Sequence, residues 1–261
     1  MNKFLLTLLC LTPLLSACGV STVDPAPQTL TVFAAASLTG AFDEIGRNFE
    51  AANPGVEVRF NFGGSHTLRA QIEHGARADV FASANAEEME ALVQGGFVGA
   101  GEAETFLANR LVVILPPGNP AGLENLSDLA GEGIRLVLAA REAPVGNYSV
   151  QALDRLDKTF GSGFKGRVLA NVVSYENDVK QVVVKVQLGE ADAGIVYASD
   201  AAAAPELPSI EIPAEANVVA AYPLAALDQA QSPALARDFI AYVLSAEGQS
   251  ILQKWGFLPV K

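Results

Sequence analysis

Short apolar runs alternate with amphipathic helical stripes along most of this chain, and that alternation limits the fold more than any other feature of the sequence. Leu38, Phe42, Ile45 and Phe49 recur at the spacing of one buried helix face. The segment that follows, VEVRFNF, alternates apolar and polar residues as a strand does. The alternation of strands and helices continues through the predicted strand IRLVLAA, a valine-rich helix over about 178–188, and the strand AGIVYAS. We therefore predict an α/β fold with mostly parallel sheets.

Local patterns supply further predictions. Residues 30–36 are expected to form the first strand, and RVLANVV is expected to form a later strand after a helix over about 146–160. Asn85, with Glu88 three residues later, is expected to begin a helix with a capping box. The alanine- and proline-rich stretch at 200–209 is expected to be a loop.

The N-terminal segment has the pattern of an export signal. Lys3 precedes the apolar run FLLTLLCLTPLL, which is too short to span a membrane, and small residues then lead to Cys18. The ending LSACG resembles the lipobox of bacterial lipoproteins, and an ordinary signal peptide is the alternative. We expect residues 1–17 to be removed, Cys18 to be lipidated, and residues 18–28 to include a flexible tether. The protein would then be exported, periplasmic or at the cell surface, and anchored to a membrane.

Charge and the scarcity of reactive side chains exclude several function classes. The formal net charge of −12 argues against a nucleic-acid partner. His66 and His74 have no cysteine ligands and no H-E-x-x-H arrangement around them, so solvated surface histidines are expected. No G-x-S-x-G segment supplies a hydrolase nucleophile. GSGFKG, from Gly161 to Gly166, matches a dinucleotide fingerprint by letter, but it follows a predicted helix and precedes a predicted strand, so nucleotide binding is not expected.

Two serines follow predicted strands at the point where helices begin. Ser37 stands in AAASL and Ser65 in FGGSHTL, each after small residues. One interpretation is helix N-capping, which contributes about 1 kcal/mol per cap. The other is a pair of helix N-termini whose free amides and hydroxyls converge on an anion, with small residues allowing the backbone to approach it. The local pattern does not decide between them.

Several segments together carry a family resemblance. VFAAASLTGAF, GGSHTLRAQIEHGARADVFASA, APVGNYS, ENDVKQVV, AGIVYASDA and ILQKWGF resemble, in this order, the periplasmic molybdate-binding proteins of ABC transporters. The resemblance covers about residues 29–261. It implies a type II periplasmic-binding-protein fold with two lobes, each a mostly parallel sheet flanked by helices, and a ligand in the cleft between them. Residues 29–111 and 223–261 would form lobe I, and residues 112–222 would form lobe II.

The resemblance also implies which groups bind the ligand. Two serine positions of the family fall on Ser37 and Ser65, two backbone amides on Val145 and Val179, and a tyrosine hydroxyl on Tyr197. The ligand would be molybdate or tungstate, with no cofactor, no metal-cation ligands and an ABC permease as the partner of a monomeric protein. Another tetrahedral oxyanion such as sulfate is the alternative within this class, and a secreted α/β enzyme is the alternative outside it.

Two departures from the family pattern affect this expectation. Gly63-Gly64 stands where the family is richer in serine, which removes hydroxyls from the cleft. The loop at 140–146 is one residue shorter than usual and carries Arg141, which we expect to face solvent. The donor-only lining would reject phosphate because a protonated oxyanion needs an acceptor. Rejection of sulfate would depend on the size of the site.

Overall fold

Within residues 28–260, ten strands form two separate five-stranded sheets. The computed structural model describes residues 28–260, so Cys18 and the signal segment lie outside the described residues. The strands are β1 Gln28–Ala35, β2 Val56–Gly63, β3 Val80–Ala82, β4 Glu104–Asn109, β5 Leu111–Ile114, β6 Leu136–Ala139, β7 Val172–Glu176, β8 Ala193–Tyr197, β9 Ser209–Glu211 and β10 Ala220–Ala226. The strand order is β2-β1-β3-β10-β4 in the first sheet and β7-β6-β8-β5-β9 in the second.

Helices connect and flank these strands. They are α1 Thr39–Ala52, α2 Ser65–Glu73, α3 Ala86–Gln94, α4 Pro144–Phe160, α5 Phe164–Ala170, α6 Val179–Gln187, α7 Ala198–Ala203, α8 Pro233–Leu244 and α9 Ala246–Lys254. Short 3-10 turns cover Ala36–Leu38 and Leu126–Ala130. Between residues 28 and 260, none of the helices has the length and apolar character needed to cross a membrane.

Both sheets are mixed, whereas the sequence predicts mostly parallel ones. β1 pairs in parallel with β2 and β3, and β6 pairs in parallel with β7 and β8. The remaining pairings are antiparallel, and every one involves β10 or β5. These two strands begin directly after the chain passes from one sheet to the other. They therefore enter their new sheet without the helical crossover that parallel pairing requires.

The chain passes between the sheets twice. Asn109 ends β4 in the first sheet and Leu111 begins β5 in the second, so the first passage occupies a single residue. The return lies between Glu211, the end of β9, and Ala220, the start of β10. The lobe boundaries expected from the sequence, 111/112 and 222/223, fall inside β5 and β10, a few residues after each passage.

The helical stripe of α1 builds the core of the first sheet. Its members Phe42, Ile45 and Phe49 are all at most 2% exposed, as the periodicity predicts. Phe42 and Phe49 meet Phe239 of α8 edge to face, with ring centroids 6.1 and 5.3 Å apart. Such aromatic pairs contribute about 0.5–1.5 kcal/mol each beyond their buried area. This packing fixes α1, and with it the turn that precedes it, against the sheet.

One strand prediction is wrong. Most of RVLANVV, predicted as a strand, lies in helix α5, and β7 begins only at Val172. Gly161 ends α4 with a φ of 92°, and Gly163, with a φ of 93°, allows the chain to turn into a new helix at once. Phe164 is almost fully buried on α5, so tertiary packing holds a segment whose apolar pattern is ambiguous. GSGFKG therefore joins two helices, which is still not the strand-to-helix setting of a dinucleotide fingerprint.

The predicted capping box is half correct. The Asn85 side chain accepts a hydrogen bond from the Glu88 amide at 3.2 Å and begins α3. The Glu88 carboxylate does not return the bond, because it accepts from the Arg69 guanidinium of α2 instead. That ion pair joins α2 to α3.

Candidate functional site

The five sequence-predicted site residues meet in one cleft between the two sheets. The cleft has about 230 Å³ of empty space and is otherwise lined mainly by small or apolar residues such as Ala35, Gly64 and Ala143. The members of the predicted set, all of which line it, are Ser37, Ser65, Val145, Val179 and Tyr197.

Each predicted residue lies at or after the carboxyl end of a strand. Ser37 follows β1 and Ser65 follows β2, both in the first sheet. Val145 comes after β6 and Val179 after β7, while Tyr197 is the last residue of β8. In open α/β sheets, the region outside the carboxyl ends of parallel strands is the usual position of a ligand. The fold thus places residues distant in sequence around one point.

Three helix N-termini point their first amides at this cleft. Ser65 is the first residue of α2, Val179 is the first of α6, and Val145 is the second of α4. Amides of a first helical turn have no partner within their own helix. No acceptor for these three amides occurs among residues 28–260. The peptide dipoles of the helices add partial positive charge at the same place, an arrangement that favours an anion.

Neither serine caps a helix, so the simpler interpretation of the two serines is wrong. Ser37 lies inside the 3-10 turn before α1, and its Oγ is 2.9 Å from the hydroxyl of Tyr222. Ser65 is already inside α2, where its Oγ accepts a hydrogen bond from the Ala84 amide at 3.0 Å. Both side chains are therefore fixed by long-range contacts.

Tyr197 brings a buried hydroxyl to the cleft. The residue is 1% exposed, and its hydroxyl has no hydrogen-bond partner among the described residues. An unsatisfied buried hydroxyl costs about 1–3 kcal/mol, which a hydrogen bond to a ligand would offset. Burial raises the pKa of Tyr197 well above its usual value of 10, so the group stays protonated and can donate.

The cleft lining holds no lysine or arginine within residues 28–260. Its charged member is Asp178, whose carboxylate caps α6 by accepting from the Gln181 amide at 3.1 Å and from the Gln181 side chain at 2.8 Å. Asp178 is not among the site residues that the sequence predicts. A carboxylate bound to the first turn of its own helix leaves the Val179 amide free for a ligand.

An ion pair between the half-buried Lys180 and the buried Asp200 lies close to Tyr197 in sequence. Asp200 belongs to α7, so the predicted loop at 200–209 is wrong at its start. The Asp200 side chain is fully buried, and its Oδ1 is 3.0 Å from Nζ of Lys180 on α6. Burial raises the pKa of Asp200, while the charge and hydrogen bond of Lys180 act in the opposite direction. The pair joins the start of α6, which presents Val179, to the segment that follows Tyr197.

The shortened loop before α4 packs directly on that helix. A Cβ on Gly146 would lie 2.0 Å from the carbonyl oxygen of Ala140, so only glycine fits there. This contact fixes the first turn of α4 close to the loop and holds Val145 at the cleft. Arg141 is exposed, as predicted, and is not among the cleft-lining residues.

The histidines lie outside the cleft. His74 is exposed, in agreement with the sequence, and its Nδ1 is 2.6 Å from the Ala70 carbonyl oxygen. His66 is only partly exposed, and its Nδ1 is buried with no partner in the described part of the chain. Among residues 28–260, no group of three or more His, Cys, Asp or Glu side chains has the arrangement to hold a metal ion.

Molybdate-binding and sulfate-binding proteins are among the known proteins that are similar to this chain. The chain is 39% identical over 251 residues to the molybdate-binding protein ModA of Mycobacterium tuberculosis, covering 93% of this chain and 92% of that protein. It is 24% identical to a sulfate-binding protein of Synechococcus elongatus, covering 89% and 73% of the two chains. The solved periplasmic molybdate-binding protein of Azotobacter vinelandii has a TM-score of 0.79 and 25% identity, covering 89% and 100%.

The family model described as bacterial extracellular solute-binding protein matches residues 30–258. That match spans both sheets and every cleft-lining segment. The chain belongs to the bacterial extracellular solute-binding protein family.

Proposed function

We propose that this protein captures molybdate or tungstate in the cleft between its two sheets and delivers it to an ABC importer. One observation carries the proposal: hydrogen-bond donors from both sheets line one cleft that has no cationic side chain among the described residues. The set consists of Ser37, Ser65, Val145, Val179 and Tyr197. The molybdate-binding relatives from Mycobacterium and Azotobacter support the choice of ligand.

Neutral donors can hold a dianion without a counterion. A buried charge is costly unless its hydrogen-bonding capacity is filled. Hydrogen bonds to a charged group are roughly twice as strong as neutral ones, and helix N-termini add favourable dipoles. Three amides and three hydroxyls at this cleft match the oxygen atoms of a tetrahedral oxyanion.

The donor-only lining selects for protonation state. Hydrogen phosphate carries an O–H that needs an acceptor. The five proposed groups act as donors, and the one carboxylate of the lining, Asp178, accepts from Gln181 instead. Molybdate, tungstate and sulfate carry no proton at neutral pH, so a protonation filter does not separate them. Separation from sulfate would depend on the spacing of the donors, because donors placed for a larger tetrahedron make poor hydrogen bonds to a smaller one. Sulfate is the second candidate, supported by the resemblance to the Synechococcus sulfate-binding protein.

The two sheets would act as the cores of two lobes. We assign the first sheet, with the chain up to 109 and from 220 onwards, to lobe I and the second sheet, with residues 111–211, to lobe II, which moves the boundaries expected from the sequence by a few residues. Because donors come from both, the ligand would stabilise the closed arrangement of the lobes. The closed protein would then present one composite surface to the permease as a monomer. We assign no catalytic role to the cleft, since its lining within residues 28–260 holds no histidine, cysteine or lysine.

Location follows from the N-terminal sequence. We propose that residues 1–17 are a lipoprotein signal and that Cys18 carries the lipid, with the residues after it serving as a tether. The apolar run and the LSAC ending support this assignment. Mass spectrometry of the membrane-extracted protein tests it: an acylated Cys18 as the first residue is expected, and a soluble, unmodified mature chain would contradict the anchor.

Thermal unfolding with four anions tests the function. At free ligand a thousandfold above the dissociation constant, binding stabilises the protein by about 4 kcal/mol. For a chain of this size that corresponds to roughly 8–16 °C in Tm. Molybdate and tungstate should each give a shift of this order, and phosphate none. No shift with either metal oxyanion would refute the proposal, and a larger shift with sulfate would favour the second candidate.

A further inference from the structure

Next to Ser37, among residues that do not line the cleft, buried hydrogen bonds connect the two passages of the chain between the sheets. Asn109 ends β4 at the first passage, and Tyr222 lies near the start of β10 after the second. Asn109 Nδ2 is 2.8 Å from the Ser199 hydroxyl oxygen and 3.5 Å from the Tyr222 hydroxyl oxygen. The Tyr222 hydroxyl is in turn 2.9 Å from Oγ of Ser37. Asn109 and Tyr222 are fully buried.

The direction of these hydrogen bonds follows from Asn109. Its Oδ1 accepts a bond from the Arg110 amide at 3.0 Å, so its NH₂ group faces Ser199 and Tyr222. An amide NH₂ can only donate, which leaves the Tyr222 oxygen as its acceptor. Burial raises the pKa of Tyr222, so its proton is retained. Although the Tyr197 ring packs against Tyr222, the Tyr197 hydroxyl makes no hydrogen bond within residues 28–260, which leaves Ser37 Oγ as the hydrogen-bonding partner that can accept that proton.

Ser37 consequently accepts from behind and keeps its own proton for the cleft. No other hydrogen bond involves its hydroxyl in the described part of the chain. Ser65 has the same arrangement, because its Oγ accepts from the Ala84 amide at 3.0 Å. A backbone amide can never reverse its role, whereas the donor to Ser37 is a side chain. The orientation of the Ser37 hydroxyl therefore depends on one replaceable group.

We propose that Tyr222 is a positioning residue that holds the Ser37 hydroxyl as a donor to the ligand and thereby sets the preference for fully deprotonated anions. The inference deepens the proposed function and rests on it. Without the Tyr222 hydroxyl, the oxygen of Ser37 is free to accept. It can then take a hydrogen bond from a protonated anion such as hydrogen phosphate, which the native arrangement rejects.

Calorimetric titration of Tyr222→Phe tests the inference. The dissociation constant for molybdate should rise about tenfold, since one oriented donor to a charged ligand is lost. The dissociation constant for hydrogen phosphate, measured by competition with molybdate, should not rise. The affinity for hydrogen phosphate relative to that for molybdate should therefore increase. In a Ser37→Ala background, Tyr222→Phe should change the molybdate constant less than about twofold. The control is Tyr242→Phe, which removes a hydroxyl bonded to Glu247, away from the cleft, and should change neither constant.

A purely structural role gives different results. Tyr222→Phe would then weaken the binding of molybdate and of hydrogen phosphate equally, and the loss of affinity would persist in the Ser37→Ala background. Asn109→Asp is the second variant, needed if the phenylalanine variant fails to fold. Its carboxylate accepts the Tyr222 proton and turns it away from Ser37. The affinity for hydrogen phosphate relative to molybdate should therefore increase, as in Tyr222→Phe. An unchanged ratio of the two affinities would contradict the inference.

The role of Tyr222 and the proposed function can be refuted separately. Tight binding of molybdate by the wild-type protein with an unchanged constant in Tyr222→Phe overturns the inference alone. A wild-type protein that binds no tetrahedral oxyanion overturns the proposed function and the inference together.

Discussion

Replacing Tyr197 by phenylalanine should move ligand affinity and folding stability in opposite directions. The Tyr197 hydroxyl is buried without a partner among the described residues, a state that costs about 1–3 kcal/mol. Its removal should leave the ligand-free protein as stable as the wild type or more stable, by up to roughly 3 kcal/mol. The same change removes a donor to a dianion, worth about 1.5–3 kcal/mol in the complex. The dissociation constant for molybdate should therefore rise roughly 10- to 150-fold.

Two measurements on the same preparation give the answer. Titration calorimetry with molybdate measures the affinity, and thermal unfolding without ligand measures the stability. Tyr242→Phe serves again as the matched control, because its hydroxyl donates to Glu247 at 2.8 Å and lies outside the cleft lining. An unchanged molybdate constant in Tyr197→Phe would remove this hydroxyl from the site. A ligand-free Tm several degrees below the wild-type value would show that the hydroxyl has a partner in the folded protein.

Three further changes probe other parts of the account. Ser65→Ala should weaken molybdate binding and also lower the ligand-free stability by about 1–3 kcal/mol, since it leaves a buried amide without its acceptor; calorimetry and urea unfolding check both, and unchanged stability would contradict the contact. Gly64→Ala would place a Cβ 2.6 Å from the Asn177 carbonyl oxygen across the cleft, although its φ of −61° suits any residue. Binding should weaken roughly tenfold with little change in the ligand-free Tm, and equal affinity would show that the lobes close differently. Asp192→Asn should destabilise the protein at neutral pH, because the Arg135 side chain lowers the pKa of that carboxyl below 3.8. The stabilisation by the ionised Asp192 carboxylate is present above pH 3.8 and is lost as the pH falls through the lowered pKa. The unfolding curves of the variant and the wild type should therefore converge in acid. A stability difference that persists in acid would contradict this explanation.

Local sequence patterns correctly predict elements whose structure depends mainly on neighbouring residues. The stripe through Phe42 and Phe49 correctly predicts α1, because a helix with one apolar face needs only a sheet to cover it. The segment after Gly163 was mispredicted because its apolar residues fit either period, and packing decided for a helix.

Long-range contacts at the site could not be predicted in the same way. Ser37 and Ser65 look like helix caps in sequence, yet their partners are Tyr222 and Ala84, which only the folded chain brings to them. The family resemblance identified the residues that line the cleft, and their roles as ligand donors remain predictions. Tyr222 had a weak signal in sequence, a hydroxyl within the apolar run AAYPLAA. A lone polar group in a buried strand must find a partner, but sequence does not say which one.

Anomalous diffraction from crystals grown with molybdate tests the central claim most directly. The metal scatters strongly, so its position is found without assumptions about the protein. We expect one peak in the cleft, with oxyanion oxygens at hydrogen-bonding distance, about 2.6–3.1 Å, from the hydroxyls of Ser37, Ser65 and Tyr197 and the amides of Val145 and Val179. A peak elsewhere on the protein, or crystals that bind no molybdate, would contradict the account.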